Sequence, residues 1–457
     1  MMSPRALGRG VKATRQPAFV LAAALLLVEL VAAMQVYLSS TITPLLAAEL
    51  DGQRLYGVAA AAALVASFVT MPLGGVLLAR FRASRLITWL TMGSVLAAVV
   101  SATAPSMEVF ILGRALAGLA SGAIATVGLG VIVSSLPPSW RRLVLAFYNV
   151  VWLLASLVGP AYAAWLSHWL DWRWALVAYL PALILARLLI ARQLERVPPP
   201  AGKEGRLPLR QGLLLATGVA LISALTLSAV WGWLAVIAGL IVIAVVARDL
   251  VPTSVLRAAP VQPAAVAGLG LLAVVYFGAN AVAAIAAHDL LGFDELGLGL
   301  LLTAGGVAWS LTGLWCGARP LADVARRAHL GVGLLAVGLS AMAVAVHTGA
   351  AGQHAHLAYI GGWAAVGLGM GLVYLDLLNR GVQGDHPDLP PGEAPTVVVL
   401  AEAIPTAVAM TLCAGLVGLD PATAPWVFAG LAVLSLTLPW FILRSTRSAR
   451  APGEEPR

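Results

Sequence analysis

The sequence predicts an all-α integral membrane protein, with fourteen spanning helices arranged as two six-helix bundles and an inserted two-helix hairpin. The first observation is composition: 60% of the 457 residues are hydrophobic and 11% are charged, whereas a soluble domain is roughly half apolar and a quarter charged. The second is a series of apolar windows of about 20 residues, the length that a helix needs to cross a bilayer. The third is a pair of Pro- and charge-containing breaks, 192–210 and 248–263, which divide the windows into groups of six, two and six.

The apolar windows follow one another along the whole chain. They cover residues 18–43, 55–78, 85–104, 107–135, 143–168, 173–192, 209–227, 230–247, 263–287, 295–317, 328–347, 357–379, 395–418 and 423–443. The first window follows a basic stretch and resembles a signal peptide, but no small-residue cleavage site follows it, so we expect a retained helix. The breaks predict an N-terminal six-helix bundle (1–200), a transmembrane hairpin (201–250) and a C-terminal six-helix bundle (251–457).

The basic residues predict the orientation of the chain. With an even number of spans both termini lie on one side, and only Arg54 and Arg173 fall in loops on the other side, with Arg114 inside a window. Because cytoplasmic loops carry the excess of Lys and Arg, both termini are expected in the cytoplasm, for a multi-pass protein of the inner (plasma) membrane. Twelve spans would satisfy the same parity.

Several classes of protein are excluded by the pattern of charged and metal-binding residues. The net charge of +8 is scattered in short loops rather than gathered in a patch, so no nucleic-acid partner is expected. Cys316 and Cys413 fall inside apolar windows and imply neither a disulfide framework nor a metal site. The histidines form no HExxH, and His354 with His356 is only a weak metal-site alternative. We therefore expect no enzyme, no metal and no cofactor.

An internal repeat relates the fourth window to the twelfth. Aligning "RALAGLASG" with "WAAVGLGMG" matches Gly118 with Gly367 and Gly122 with Gly371. Glycines four residues apart can simply let two helices pack closely. Repeated halves are also a feature of transporters, whose substrate site lies between the repeats near the membrane midplane.

Four ionisable side chains fall well inside the apolar windows, and we predict that they take part in proton coupling. They are Glu29, Arg114, Asp376 and Glu402. A charged side chain at the bilayer centre costs about 2.5–3.5 kcal/mol on insertion scales, so each such residue is a candidate functional group. The alternative is that each is a satisfied structural contact between helices.

The alternatives differ from residue to residue. Glu29 either carries the proton or is a permanently protonated helix contact. Arg114 stays charged, so it must be paired or solvated, and it acts as a latch or as a switch for proton release. We expect Arg114 and Gln35 at a similar depth, roughly 10–12 Å below the outer ends of their helices, close enough for a hydrogen bond. Asp376 is expected to pair with Arg380 one helical turn later.

Glu402 lies beside a proline within its window. Pro405 removes the donor for the carbonyl of Ala401 and can bend the helix. A relay role and a packing role for Glu402 are equally consistent with this position.

Several motifs, in their order along the chain, resemble the major facilitator superfamily and its branch of fourteen-helix drug:proton antiporters. "PLGGVLLARFRASR" is similar to the loop motif between the second and third helices, "GRALAGLASG" to the motif of the fourth helix, and "VGPAYAAWL" to the antiporter motif of the fifth. The gating and helix-motif positions carried over are Gly75, Arg80, Arg85, Gly118, Gly122, Gly159 and Pro160. The chain departs from the pattern at Ala79, where an aspartate is usual, at Arg82, where a glycine is usual, and at Gln35, where the first helix usually carries an aspartate.

The resemblance implies a function and a substrate cavity. The first, fourth, ninth and twelfth helices would line that cavity, with Gln35, Tyr37, Tyr276, Asn280, Trp363 and Tyr374. The implied function is efflux of small drug-like or metabolite molecules by proton-coupled antiport with alternating access. A proton-independent uniporter or an importer is the alternative, because Gln35 replaces the usual aspartate. The expected partners are a small-molecule substrate, protons and the lipid bilayer, and the protein is expected to be a monomer.

Overall fold

A computed structural model describes most of the chain. The described residues are 19–35, 38, 42, 49–50, 56–195, 208–226, 229–293, 295–318, 324–348, 353–384 and 386–446. Within these ranges the backbone forms helices joined by turns, and the β-pairing is one isolated bridge between His386 and Leu389. The predicted all-α class is confirmed for this part of the chain.

The chain divides into two compact units, Met1–Ala216 and Thr217–Arg457. The helices that begin in the first unit are α1 (Phe19–Gln35), α2 (Tyr56–Thr70), α3 (Gly74–Arg80), α4 (Ala83–Ala102), α5 (Met107–Ser135), α6 (Pro138–Trp169), α7 (Trp172–Val177), α8 (Leu180–Leu194) and α9 (Leu209–Ile222). A 3₁₀ turn, Met71–Leu73, joins α2 to α3. The predicted three-part division, with a separate hairpin at 201–250, stays a prediction.

The second unit continues in the same manner. Its helices are α10 (Ala229–Leu250), α11 (Thr253–Leu256), α12 (Gln262–Asp289), α13 (Glu295–Ala318), α14 (Val324–His347), α15 (Gln353–Gln383), α16 (Ala394–Leu419), α17 (Ala424–Ser435) and α18 (Leu438–Thr446). Two 3₁₀ turns, Ser223–Thr226 and Pro421–Thr423, precede α10 and α17.

Helix starts follow from local chemistry. Proline occupies the first turn of α6, α12 and α16, where its missing N–H costs no intrahelical bond. Asp171 caps α7 by accepting a hydrogen bond from the Arg173 backbone N–H at 2.8 Å. Asp420 caps the corresponding turn of the second unit through the Ala422 N–H at 2.9 Å. An aspartate at this position satisfies a backbone donor that the helix leaves open.

Eleven helices in the described part of the chain are long and apolar enough to cross a membrane. Two shorter apolar helices, Phe19–Gln35 and Leu209–Leu225, fall on two further predicted windows. The fifth window coincides with α6, which is not one of the eleven. The protein is therefore a multi-pass membrane protein, while the count of fourteen spans stays a prediction.

Close glycine packing joins α5 to α2 in the first unit. A Cβ placed on Gly118 would lie 2.2 Å from the Ala63 carbonyl oxygen, and one on Gly122 would lie 2.1 Å from the Ser67 carbonyl oxygen. Such distances are shorter than atoms tolerate, so only glycine permits this approach. The Thr70 hydroxyl reinforces the contact by donating to the Leu119 carbonyl at 2.7 Å.

The second unit repeats this arrangement between α15 and α13. A Cβ on Gly367 would lie 2.2 Å from the Gly305 carbonyl oxygen, and one on Gly371 would lie 2.7 Å from the Trp309 carbonyl oxygen. The contacted carbonyls are four residues apart, as they are on α2. The aligned glycines thus have the packing role that their spacing indicates, and they have it at matching places in both units.

Candidate functional site

Glu29 lies on α1 in a cluster of groups from three helices. The indole Nε1 of Trp152 on α6 donates a hydrogen bond to a Glu29 carboxylate oxygen at 3.2 Å. The guanidinium of Arg187 on α8 lies within electrostatic range of both Glu29 and the Tyr148 hydroxyl on α6. Glu29 is thus one member of a charged and hydrogen-bonded cluster within the first unit.

Arg187 is a residue that the sequence analysis missed. Its charge was assigned to the cytoplasmic side, but it lies seven residues before the end of α8 and is only 8% exposed. Its Nε has no hydrogen-bond partner in the described part of the chain. The signal that could have found it is an arginine preceded by thirteen uncharged residues, 174–186, of the sixth apolar window.

Arg114 lies on α5, within electrostatic range of the Tyr179 hydroxyl. Tyr179 in turn interacts with Tyr162 of α6. Gln35 ends the described part of α1 and is half-buried. The predicted hydrogen bond between Gln35 and Arg114 stays a prediction, and Tyr37 lies outside the described residues.

A cluster of aromatic side chains lies beside Glu402 in the second unit. Tyr276 stacks on Trp363 with ring centroids 5.2 Å apart and an interplanar angle of 25°. Tyr276 also meets Trp309 edge-on at 4.9 Å, and Trp309 meets Tyr374 edge-on at 5.6 Å. The Tyr374 hydroxyl lies 3.1 Å and 3.2 Å from the two carboxylate oxygens of Glu402.

This cluster brings together three of the predicted cavity residues and one predicted coupling residue. Tyr276 and Trp363 are buried, at 4% and 1% exposure, whereas Tyr374 is half-buried. Asn280 lies one turn after Tyr276 on α12 and is also half-buried. Trp309 was not predicted, although its position in the tenth window beside two glycines marks it as an aromatic at a close helix contact.

Asp376 has a different ion-pair partner from the one predicted. Arg327 of α14 pairs directly with the Asp376 carboxylate of α15. Arg327 is 4% exposed and the Asp376 side chain 28% exposed. Arg380 instead directs its Nη1 toward the Ser445 carbonyl oxygen at 3.5 Å. The predicted helical pair is wrong because a neighbouring helix supplies a cation that sequence spacing does not reveal.

A glycine of α12 packs against α16 close to Pro405 and Glu402. Gly270 packs against the Ala401 carbonyl, the group that Pro405 deprives of a helical donor, and a Cβ on Gly270 would lie 2.5 Å from that oxygen. The close approach shields an unsatisfied carbonyl from hydrocarbon. It also fixes α12 against α16 one residue from Glu402.

The motif predicted to take part in gating lies at the junction of α3 and α4. Arg80 and Arg85 are both exposed there. Gly74, the residue before the predicted Gly75, makes a close contact: a Cβ on Gly74 would lie 1.6 Å from the Thr126 hydroxyl oxygen of α5. The role of Gly75 stays a prediction. Gly159 is buried, and α6 continues without a break through Gly159 and Pro160.

No group of three His, Cys, Asp or Glu side chains among the described residues has the geometry of a metal site. The ring of His356 is used in packing. Its Nε2 lies 2.8 Å from the Leu291 carbonyl oxygen, and its ring lies 4.2 Å from that of Phe293.

A polar cluster lies at the start of α7, on the side predicted to face outward. Trp172 Nε1 donates to one carboxylate oxygen of Glu49, and Arg173 Nη1 forms an ion pair with the other at 2.8 Å. The Arg173 guanidinium also lies over the Trp172 ring, 4.3 Å from its centroid. The hydrogen bond from Trp172 and the Arg173 charge lower the pKa of Glu49.

The sequence profile described as Major Facilitator Superfamily matches residues 25–383. The chain belongs to this family. Solved structures agree on the fold: the human organic anion transporter MFSD10 superposes with a TM-score of 0.65 at 18% identity, covering 94% of this chain and 99% of the other. The proton:xylose symporter XylE superposes with a TM-score of 0.64 at 17% identity, covering 93% and 96%. The major-facilitator-type fold is therefore confirmed.

Curated relatives share part of the chain. A probable multidrug-efflux transporter of Mycobacterium tuberculosis is 33% identical over 196 residues, which is 41% of each chain. The multidrug export protein EmrB of Haemophilus influenzae is 28% identical over 146 residues, covering 31% of this chain and 29% of the relative. The matched segment thus spans less than half the length of these relatives.

Proposed function

We propose that the protein is an efflux transporter of small drug-like or metabolite molecules, which couples export to proton entry by alternating access. The observation that carries the proposal is Glu29, a carboxyl group held inside a membrane protein by Trp152 and facing Arg187. The names of the matched relatives, which refer to multidrug efflux and export, support the direction and the substrate class.

The surroundings of Glu29 suit reversible protonation. The low-dielectric interior of the helix bundle favours the neutral carboxyl, while the Arg187 charge favours the carboxylate. Trp152 can only donate, so it can hold a Glu29 oxygen in either state. Because burial and the Arg187 charge act in opposite directions, a modest change in the hydration of Glu29, or in its distance from Arg187, is enough to protonate or deprotonate the carboxyl group.

Glu402 is the second candidate for the proton carrier. Its partner is a tyrosine hydroxyl rather than a cation, and it adjoins the aromatic cluster of the second unit. The indole Nε1 atoms of Trp309 and Trp363 are buried without an acceptor in the described part of the chain. Aromatic side chains beside a few polar groups suit an amphipathic organic solute, so this cluster supports the proposed substrate class.

We further propose the fourteen-span antiporter branch of the family. Helices at each predicted window, including the shorter Phe19–Gln35 and Leu209–Leu225, support that count. In this arrangement α9 and α10 form the inserted hairpin, and both termini lie in the cytoplasm of a monomer in the inner membrane. If a cysteine introduced into the 192–210 connection were labelled by a membrane-impermeant reagent added outside intact cells, the cytoplasmic placement of that connection would be contradicted.

The test is substrate-driven proton movement in proteoliposomes, with ethidium as the probe and a pH-sensitive dye inside. We expect Glu29→Gln to abolish ethidium-driven proton movement while still binding ethidium. Glu195→Gln, an exposed acid at the end of α8, is the matched control and should couple normally. Normal coupling in Glu29→Gln with loss in Glu402→Gln would transfer the role to Glu402. Normal coupling in both would refute the proton mechanism.

A proton-independent uniporter or importer is the alternative, favoured by Gln35 at the usual aspartate position. Ethidium flux that persists unchanged after a protonophore collapses the proton gradient would support it. Flux that stops with the gradient supports antiport.

A further inference from the structure

A groove lies between α4 and α8 on the first unit. It has a volume of about 440 Å³ and is lined by side chains of these two helices. On α4 the lining runs from Thr88 and Thr91 through Val95 to Val99, and on α8 it includes Arg187. At 1.5 Å of rise per residue, the α4 side of the groove is about 16 Å long.

Arg187 gives the groove its charge. It is the one charged residue among those lining the groove. Its side chain is 8% exposed, and its Nε has no hydrogen-bond acceptor in the described part of the chain. A guanidinium keeps its charge and donates through every N–H, so burying it without a full set of acceptors is costly, and an anion beside the Arg187 guanidinium would offset that cost.

The hydroxyl groups of Thr88 and Thr91 are not available to donate a hydrogen bond to an anion in the groove. The hydroxyl of Thr88 donates to the Ser84 carbonyl at 2.9 Å, and that of Thr91 donates to the Ile87 carbonyl at 2.7 Å. Their protons are therefore committed to their own helix. Arg187 is left as the donor that the groove offers to a ligand.

We propose that this groove binds a single-chain amphipathic anion, with its carboxylate on Arg187 and its alkyl chain along α4 between Thr91 and Val99. Charge complementarity selects the head group, because Arg187 is the lone charge of the lining. The narrow volume of 440 Å³ and the run of Val95, Leu96 and Val99 select one alkyl chain rather than the two chains of a phospholipid.

The depth of Arg187 supports the same choice. It lies seven residues before the end of α8, about 10 Å along the helix axis. A phospholipid phosphate at this depth would bring two acyl chains to the groove, whereas a single-chain carboxylate brings one. The exposed apolar side chains of Met92, Leu96 and Leu188 at the groove would contact lipid in a bilayer and leave a lateral entrance.

Binding there would also act on the cluster around Glu29. Arg187 is within electrostatic range of Glu29, so an anion on Arg187 changes the potential at that carboxyl without touching it. The site itself does not depend on the proposed antiport, and its occupancy can be measured without transport.

The test is equilibrium binding of radiolabelled palmitate to the full-length protein in phosphatidylcholine nanodiscs. We expect saturable binding that Arg187→Gln weakens roughly tenfold or more, because the charge-assisted hydrogen bonds are lost. Val95→Trp, which fills the groove and keeps Arg187, should weaken it by a similar factor. Leu185→Trp is the matched control: this exposed α8 residue does not line the groove, and its variant should bind within about twofold of the parent.

Three results would overturn the proposal. Palmitate binding that is unchanged in Val95→Trp would place the ligand elsewhere, and this holds even where Arg187→Gln fails to fold. Competition by hexadecyltrimethylammonium as effective as that by unlabelled palmitate would show apolar partitioning without charge recognition. Loss of palmitate binding in nanodiscs that contain phosphatidylglycerol would identify a two-chain phospholipid as the occupant.

Discussion

The two units share a helix-packing scaffold and differ in how they hold charge. In each, a pair of glycines four residues apart on one long helix meets carbonyls four residues apart on a neighbour: Gly118 and Gly122 on α5, and Gly367 and Gly371 on α15. The scaffold repeats because backbone contact leaves no room for side-chain variation. Charged side chains are not restricted in this way, so each unit uses them differently.

The difference is clearest at the buried arginines. In the second unit Arg327 pairs directly with Asp376. In the first, Arg187 forms no ion pair with a described residue and acts on Glu29 at longer range. Each arginine also keeps one buried nitrogen without an acceptor in the described part of the chain, Nε of Arg187 and Nη1 of Arg327. A directly paired cation stabilises the fold, whereas a cation without a hydrogen-bonded counter-charge remains available to a ligand or to a carboxyl that changes protonation.

The largest expected effect tests this difference between the arginines. Arg327→Leu should lower the free energy of unfolding by about 3 kcal/mol, because it leaves a partly buried carboxylate without its cation. Arg187→Leu should be neutral or stabilising, because it removes a buried charge that lacks a direct partner. Unfolding in mixed micelles, followed by far-UV circular dichroism, measures both. The Arg327→Leu/Asp376→Leu double variant should recover most of the loss. An equal loss of unfolding free energy in Arg327→Leu and Arg187→Leu would contradict the proposed difference between the two arginines.

The glycine scaffold gives the next effect, which should be the same in both units. Gly122→Ala and Gly367→Ala should each destabilise by about 1–3 kcal/mol, because the new Cβ overlaps a carbonyl oxygen of the partner helix. Their matched controls are Gly128→Ala on α5 and Gly361→Ala on α15, positions where a Cβ would meet nothing within 4 Å. The controls should keep the parent's melting temperature in detergent, measured by size-exclusion chromatography after heating. A loss confined to one unit would show that the repeat is not a shared scaffold.

A smaller effect separates the hydrogen bonds to the two carboxyl groups. Tyr374→Phe should cost about 1–2 kcal/mol, because Glu402 loses its hydroxyl partner inside the protein. Trp152→Phe should cost less than about 1 kcal/mol, since Trp152 is 39% exposed and contributes one bond to Glu29. Repeating each substitution in a Glu→Gln background isolates the pair. Larger coupling for Trp152 and Glu29 than for Tyr374 and Glu402 would contradict this order.

The helices and the packing glycines could be predicted because each depends on local sequence. Apolar length fixes the helices, and a four-residue glycine spacing fixes a close contact, so α5 and α15 were recognisable without any partner. Glu29 and Glu402 were recognisable for a related reason, since a carboxyl group within an apolar window is itself the anomaly.

The partners of these groups could not be predicted because they come from distant parts of the chain. Trp152 is separated from Glu29 by 123 residues, and Arg327 from Asp376 by 49. The sequence favours Arg380 as the partner of Asp376 because helical spacing is visible in a sequence, whereas the contact between α14 and α15 is not.

The smallest effect is at the start of α7, where the first unit adds charges to a cap that both units share. Asp171 and Asp420 cap equivalent turns, but only in the first unit, within the described part of the chain, do a tryptophan and an arginine also hold a glutamate, Glu49.

The pKa of Glu49 is lowered by these donors, so its contribution to stability is present above the ordinary pKa of about 4.5 and disappears as the pH falls through the lower folded value. Because the Glu49 side chain is 46% exposed, the contribution should be less than about 1 kcal/mol and should weaken in high salt. We therefore expect the melting temperature of Glu49→Gln to lie slightly below that of the parent from about pH 8 to about pH 5, and the two to converge only as the pH falls through the lowered pKa of Glu49. Arg173→Gln should reproduce the neutral-pH loss, because it removes the same ion pair, and a difference that grew on acidification would contradict the assignment.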